Sequence, residues 1–496
     1  MESYGFVSLI PALLTIALAI KTRNVIISLG VGALSGAIIL QKYNPFQGLL
    51  YLVEKKIFDQ ISSPSNNQVL ITIACIGGFI KIIETSGGAQ AFAKKMTEVI
   101  SSPVKAQLTT WLCGLAIFFS DSGNSLILGP LFSPIYKKLG ICKEKLAYIL
   151  DSTSAPICIL IPFISWGAYI MSLIETTYAD MGIEANPLSV LLSAMPYQFY
   201  AILTLLAVPL IAVMGKDFGP MLKAQKNYQP DLSELQDKEI ILEGTTTIWA
   251  IAVPLIILFT CIAGLMTYYY LGPDGLTSVH IRTALLISYV AASIGAAIYT
   301  KVKNNRSMME SLKLFVQGGG SMIFIFYILI LAWTLSSVCK ELQAGQYIAA
   351  NIKSFISPGI FPMIIFFLGA LISVSTGTSY GTFAILMPLA LPVALDLQAS
   401  LVVTLGAILS GGLFGDHTSP ISDTTVIASM GAECEHMKHV NTQMFYSVLT
   451  ASVAACCYLV AARFESPLVL LMGMVLMIVV LSIVMSKFGQ KISLEL

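Results

Sequence analysis

Gly415-Asp416-His417-Thr418-Ser419-Pro420-Ile421-Ser422-Asp423-Thr424-Thr425 lies between two apolar segments, residues 401–414 and 426–430. Two carboxylates, a histidine, five hydroxyls and a proline fall within these eleven residues. An aspartate at the centre of a membrane helix costs about 2.5–3.5 kcal/mol on insertion scales unless it faces protein or water. Pro420 removes a backbone donor, and irregular backbone at membrane depth persists only where it packs in protein or lines a cavity. The stretch therefore reads as a broken helix that forms half of an ion-binding site.

Outward from it the chain stays apolar. Of 496 residues, 56% are hydrophobic and 11% charged, with a mean hydropathy of +0.82. Soluble domains carry about 25% charged residues. The apolar runs are about 20 residues long and lack the ten-residue alternation of a barrel, so the protein is a helical polytopic membrane protein. A net charge of +1 says nothing about partners, and no nucleic-acid partner is expected. The nine cysteines show no metal-ligand spacing, and no cofactor is expected. The first apolar run has no basic leader and ends at Lys21-Thr22-Arg23, which reads as a retained span.

Full spans are expected near residues 6–20, 25–40, 69–86, 146–174, 189–214, 246–270, 283–299, 314–338, 401–430, 442–462 and 467–485. Two further apolar segments are interrupted, 106–136 by Ser120-Asp121-Ser122-Gly123-Asn124-Ser125 and 361–395 by the hydroxyl-rich residues 373–381. Each reads as a re-entrant hairpin with a polar tip. A pair of ordinary spans joined by a tight turn is the alternative, because Ser and Thr can bond their own helix. With the N-terminus outside, the inner regions hold 21 of the 28 Lys and Arg and the outer regions hold 7. That division follows the positive-inside rule.

The halves echo one another. Asp151-Ser152-Thr153-Ser154-Ala155-Pro156 resembles the stretch from Asp416 to Pro420 at an offset of 265 residues. Residues 130–134 match 388–392 at an offset of 258, and 88–93 echo 345–350 at 257. The expected fold is all-α, with two inverted five-helix repeats, each holding a re-entrant hairpin and a broken helix, plus one extra C-terminal helix. Its divisions are 1–214 (hairpin 106–136, broken helix 146–174), a cytoplasmic linker 215–245, 246–462 (hairpin 361–395, broken helix 401–430) and a C-terminal helix and tail 463–496.

Asp121, Asp151, Asp416 and Asp423 then lie at membrane depth with no Lys or Arg placed beside them. They bind cations, carry protons, or serve as protonated caps of broken helices. Hard cations take oxygen ligands, so sodium is expected at Asp416, Thr418, Ser419, Ser422 and Asp423. Ser122, Asn124, Ser125, Thr153, Ser154, Thr376, Thr378, Ser379, His417 and Thr424 are supporting candidates. Half-helix N-termini at the tips could face an anionic solute. His417 is the sole histidine assigned to a span, with His280, His436 and His439 in loops; it is either a pH sensor or a structural group. Trp166 and Trp333 are expected to be packing or interface anchors.

The stretch from Gly415 to Thr425 resembles the signature of the NhaC family of sodium/proton antiporters, within the ion-transporter superfamily. Asp151 to Pro156, followed by Trp166-Gly167, is similar to the matching family segment. The resemblance implies a scaffold with a moving transport unit, elevator-type exchange of Na+ and H+, a homodimer and a multi-pass location in the cell's inner (plasma) membrane. The family also holds members credited with malate–lactate exchange or sodium-coupled amino-acid import. Sodium-driven uptake or exchange of a small amino acid or carboxylate is therefore the second function to weigh. An intramembrane aspartyl protease is remote, since Leu413-Phe414-Gly415-Asp416 lacks the first glycine of Gly-x-Gly-Asp and no Tyr-Asp pair lies upstream. No phosphate-binding Gly-x-x-x-x-Gly-Lys loop occurs either. A secondary transporter, not an enzyme, is expected.

Overall fold

The computed structural model describes residues 4–229, 247–273, 275–344, 347 and 356–491, about four-fifths of them helical. The sequence sets helix starts by a repeated device. Asn24, Ser63, Ser102, Ser120 and Ser400 each accept a backbone N–H of the first turn they precede, and Pro64 and Pro103 take first helical positions where no N–H is missed. The first half contains α1 (Ile10–Thr22), α2 (Val25–Leu40), α3 (Pro64–Glu84), α4 (Pro103–Ala116), α5 (Asp121–Lys138), α6 (Lys143–Ser152), α7 (Ser165–Asp180) and α8 (Phe199–Met214). The second holds α9 (Trp249–Tyr270), α10 (Ser278–Asn304), α11 (Met308–Gly320), α12 (Ile323–Glu341), α13 (Phe361–Thr376), α14 (Ser379–Leu397), α15 (Leu401–Thr418), α16 (Asp423–Gly431), α17 (His436–Phe464) and α18 (Leu468–Lys487). Among the described residues nine helices are long and apolar enough to cross a membrane, or up to eleven if each bent pair is one span.

Both interrupted segments are helical pairs, with tips shorter than the polar runs suggest. The first turns at residues 117–120 between α4 and α5, so Ser122, Asn124 and Ser125 lie in the opening turn of α5 and not in the tip. The second turns at Gly377 and Thr378 alone. Polar residues suit the first helical turn, whose N–H groups need acceptors, and this turn is easily mistaken for loop in sequence. Gly377 adopts φ +69°, and a Cβ there would lie 2.7 Å from the Ile421 carbonyl oxygen, so the tip sits against the break between α15 and α16.

Three other differences matter. The break within residues 146–174 is long: α6 ends at Ser152, a single turn covers Ala155–Cys158, and α7 starts only at Ser165. Residues 215–229 of the linker are ordered, as a strand pair Lys216–Asp217 with Gln490–Lys491 and a helix Gly219–Asn227; residues 230–245 lie outside the described residues, as do most of the 345–350 echo and residues 492–496 of the tail. α17 begins at His436, six residues before its apolar run, because the polar faces of His439 and Gln443 are buried inside the protein.

The second arm of each hairpin packs on the other half's broken helix. α5 crosses α16 and α14 lies along α7. At the first crossing Gly129 and Gly431 meet backbone to backbone, and a Cβ on Gly431 would lie 2.5 Å from the Ser125 carbonyl oxygen. Tyr169 Oη donates to the Tyr380 carbonyl at 2.6 Å across the second. The tips and breaks are thereby brought to the middle of the molecule.

Candidate functional site

Three helix N-termini, those of α5, α14 and α16, open toward a cavity of about 570 Å³. Asp121 and Asp423 are the first residues of α5 and α16, where the helix dipole favours a carboxylate. Asp121 Oδ1 accepts the Ser122 N–H at 2.6 Å and its Oδ2 accepts Trp166 Nε1–H at 3.0 Å. Trp166 stacks on Tyr380, ring centroids 4.6 Å apart. Asp423 Oδ1 accepts the Thr424 N–H at 2.9 Å, and its carboxylate is exposed to the cavity. These two acids therefore do a helix-terminal task whatever else they do.

Asp416 is different. It occupies the last turn of α15, where its own helix dipole disfavours negative charge. Its Oδ2 accepts Ser379 Oγ–H at 2.7 Å and the Ser379 N–H at 3.2 Å, both from the first residue of α14, next to the tip of the second hairpin. Its Oδ1 is buried, with Ser422 as its neighbouring hydroxyl and no partner within hydrogen-bond geometry among the described residues, although Asp416 forms part of the cavity wall. A buried anionic oxygen without a partner is unfavourable unless something positive meets it.

Of the remaining predicted groups, Thr378 lines the cavity. Thr418 Oγ donates to the Phe414 carbonyl, Ser419 Oγ to the Val374 carbonyl and Thr376 Oγ to the Ile372 carbonyl. Ser422 and Thr424 share a 2.9 Å hydroxyl contact. A hydroxyl that donates to a carbonyl keeps lone pairs for a cation. Asn124 Nδ2 donates to the carbonyls of Gly114 and Thr153, at 2.8 and 2.9 Å, and so ties the opening turn of α5 to the end of α4 and to the first break. Thr153 and Ser154 bond their own turn, and Ser125 Oγ is buried with no partner among the described residues.

Asp151 is not on the cavity wall. It is 1% exposed, within a second polar cluster on the far side of α15. Gln443 Nε2 donates to Asp151 Oδ2 and to the His417 carbonyl, both at 2.6 Å. His417 Nε2 and His439 Nε2 each lie 3.9 Å from Asp151 Oδ2. His417 Nδ1 is 2.7 Å from Tyr200 Oη. Adjacent residues Asp416 and His417 thus turn to opposite clusters.

Sequence reasoning missed Glu84, Lys81, Gln443, Tyr200 and His439. Glu84 ends α3, accepts Ser120 Oγ–H at 2.6 Å and lines the cavity beside Lys81. Both sit at a span end in sequence, and only packing brings them to the hairpin tip. His439 is a correction: it is fully buried in a helix and not in a loop. Trp166 packs in the core as expected, and its ring N–H is in addition committed to Asp121.

Residues 157–463 match the family model described as the Na+/H+ antiporter family. An uncharacterized protein of Haemophilus influenzae is 30% identical over 469 residues, 91% of this chain and 90% of that one. A Malate-2H(+)/Na(+)-lactate antiporter of Bacillus subtilis is 35% identical over 106 residues, 21% of this chain and 23% of its own. The crystal structure of the Alcanivorax borkumensis YdaH transporter superposes with a TM-score of 0.61 at 14% identity, over 85% of this chain and 90% of that one. This last likeness is one of fold.

Proposed function

The chain belongs to the Na+/H+ antiporter family, and on that premise we propose that it exchanges Na+ for H+ across the plasma membrane, with Asp416 as the main cation ligand. The observation that carries this is the state of Asp416: one carboxylate oxygen is fixed by the first residue of α14, next to the hairpin tip, and the other is buried at the cavity wall with no partner within hydrogen-bond geometry among the described residues. Asp423, Asp121 and Glu84 add negative charge around the same space, against Lys81 alone. Oxygen donors from Thr378 and Thr424 on the cavity wall, with Ser422 buried behind Thr424, stand ready to replace the hydration of a hard cation.

Alternating access follows from two inverted repeats, hairpin 106–136 with the break at 146–174 and hairpin 361–395 with the break at 401–430. The reciprocal packing of α5 on α16 and of α14 on α7 supports that relation. The cavity includes Lys81, Glu84 and Gln317, toward the face that basic residues assign to the cytoplasm. Toward the opposite face, Arg282 bonds Glu175 at 2.5 Å and Gln68 at 3.0 Å, while Lys340 and Ser336 hold Asp180 at 3.0 and 2.6 Å. This arrangement suits an inward-facing state of an elevator whose moving unit contains both hairpins and breaks, carried in a homodimer.

A second function is favoured by one observation. About 570 Å³ far exceeds what a bare cation needs. A small carboxylate or amino acid, with Lys81 toward its anionic group, would fit the same space.

Proteoliposomes with an internal pH dye separate the two. A sodium pulse outside should alkalinise the lumen without any added solute. Sodium uptake that requires an organic solute and leaves lumenal pH unchanged would replace exchange with co-transport.

A further inference from the structure

Behind the cavity, a file of polar groups leads from buried Asp151 to the surface. His439 Nε2 is 2.9 Å from Gln443 Oε1 and 3.9 Å from Asp151 Oδ2. His439 Nδ1 is 2.8 Å from Ser429 Oγ, which is 3.0 Å from His436 Nδ1. His436 is the first residue of α17, half-buried, beside the exposed pair Glu435–Lys438. That pair borders a polar opening of about 680 Å³, which also takes in Lys143, Lys223 and Glu433. We propose that Asp151 is a proton-carrying site distinct from the cation cavity, and that it exchanges protons with the cytoplasm through His436, Ser429 and His439. This rests on the Na+/H+ exchange reading.

The partners fix the tautomers. His436 Nε2–H donates to the Pro420 carbonyl at 2.7 Å, which leaves Nδ1 toward Ser429. His439 Nε2–H faces the Gln443 carbonyl oxygen, which leaves its Nδ1 toward the same hydroxyl. A proton that arrives on His436 Nδ1 passes to Ser429 Oγ as the Ser429 hydroxyl proton moves to His439 Nδ1. The resulting imidazolium releases its Nε2 proton to Asp151 once Gln443 yields the 3.9 Å gap. The net change is one proton, from cytoplasmic water to the carboxylate, with His439 left as its Nδ1–H tautomer until the proton returns or the ring resets. Release toward the cytoplasm reverses each step. Ser429 Oγ–H also has the Thr425 carbonyl within reach at 2.8 Å, a resting position when no proton is in transit.

The groups that face Asp151 are His417 on α15, His439 and Gln443 on α17, and Thr425 on α16, with the Asp423 carboxylate of α16 close enough to act on its charge. Lys145, on the same helix, is held by Asp217. Communication with the cavity runs through the last turn of α15. Gln443 holds both Asp151 and the His417 carbonyl, and the neighbouring residue is Asp416. Sodium at Asp416 and a proton on Asp151 therefore bias one element, and the coupling is reciprocal.

The test uses full-length protein in proteoliposomes and compares wild type with His439→Leu and His436→Ala. Two rates are measured, Na+/H+ exchange by lumenal pH and tracer Na+/Na+ exchange. Na+/H+ exchange should slow by about tenfold or more in both variants, the scale of a lost proton-transfer group. Na+/Na+ exchange should stay at the wild-type rate, which also reports intact folding. Imidazole on the His436 side should restore His436→Ala, since the missing group is at the surface. If His439→Leu loses both rates, His436→Ala with its imidazole rescue decides alone. Wild-type Na+/H+ exchange rates in His436→Ala overturn the file while leaving the exchange reading intact. A wild type that moves no protons with sodium overturns both.

Discussion

Replacing Asp416 with Asn separates the charge of this side chain from its shape. The amide oxygen can keep the two bonds from Ser379, at 2.7 and 3.2 Å. The amide nitrogen then takes the place of Oδ1, which has no partner within hydrogen-bond geometry among the described residues of the wild type, and brings two donors with no acceptor. That should destabilise the fold by about 1–3 kcal/mol. The loss for sodium is larger. A unit charge about 4 Å away in an effective dielectric near 20 is worth about 4 kcal/mol, about a thousandfold in Kd. Calorimetric sodium titration of purified protein measures the second quantity, and thermal melting the first. Ser379→Ala is the companion variant, since it removes the hydroxyl bond and leaves the charge; it should weaken sodium binding far less. An Asp416→Asn protein that binds sodium with wild-type affinity would refute this role and reduce Asp416 to a tie for the hairpin tip.

Asp423→Asn should also abolish sodium-dependent transport while the protein stays folded, because Thr424 N–H can still be accepted by the amide oxygen; retained transport would leave Asp423 as a helix-terminal acid only. Gly431→Ala pushes a Cβ to within 2.5 Å of the Ser125 carbonyl oxygen, and overpacking of this kind costs about 1–3 kcal/mol, to be seen as a lowered melting temperature. In a cysteine-free background, Glu184→Cys should react with impermeant reagent only from outside and Lys138→Cys only from the cytoplasm. Labelling of position 184 from the cytoplasm contradicts the positive-inside orientation.

The breaks were legible because a charge or a proline inside an apolar run forces the backbone out of a continuous lipid-facing helix. Asp416 and Pro420 required irregular backbone, and the structure ends α15 at Thr418. Exact tips were not legible, since Ser120 and Asp121 look alike as loop residues or as a cap and its first turn. Asp151 and Asp416 look equivalent by motif, yet the first faces two histidines and the second faces the cavity. Burial on opposite sides of α15 decides that, and neither residue's neighbours in sequence encode it. Glu84 and His439 escaped for a related reason. Each sits where hydropathy marks a span end, and tertiary packing draws it inward.

Exchange of Na+ for H+ requires that the two ions antagonise one another in binding. Sodium binding to the purified protein, followed calorimetrically over a pH series with and without amino acids and dicarboxylates, measures that antagonism. One competing proton predicts that apparent sodium affinity falls by about tenfold for each unit that pH is lowered below the pKa of the competing site, and levels off above it. Added solutes should leave this dependence unchanged. Sodium affinity that ignores pH and rises with one solute would contradict the exchange of Na+ for H+ and point to sodium-coupled uptake of that solute.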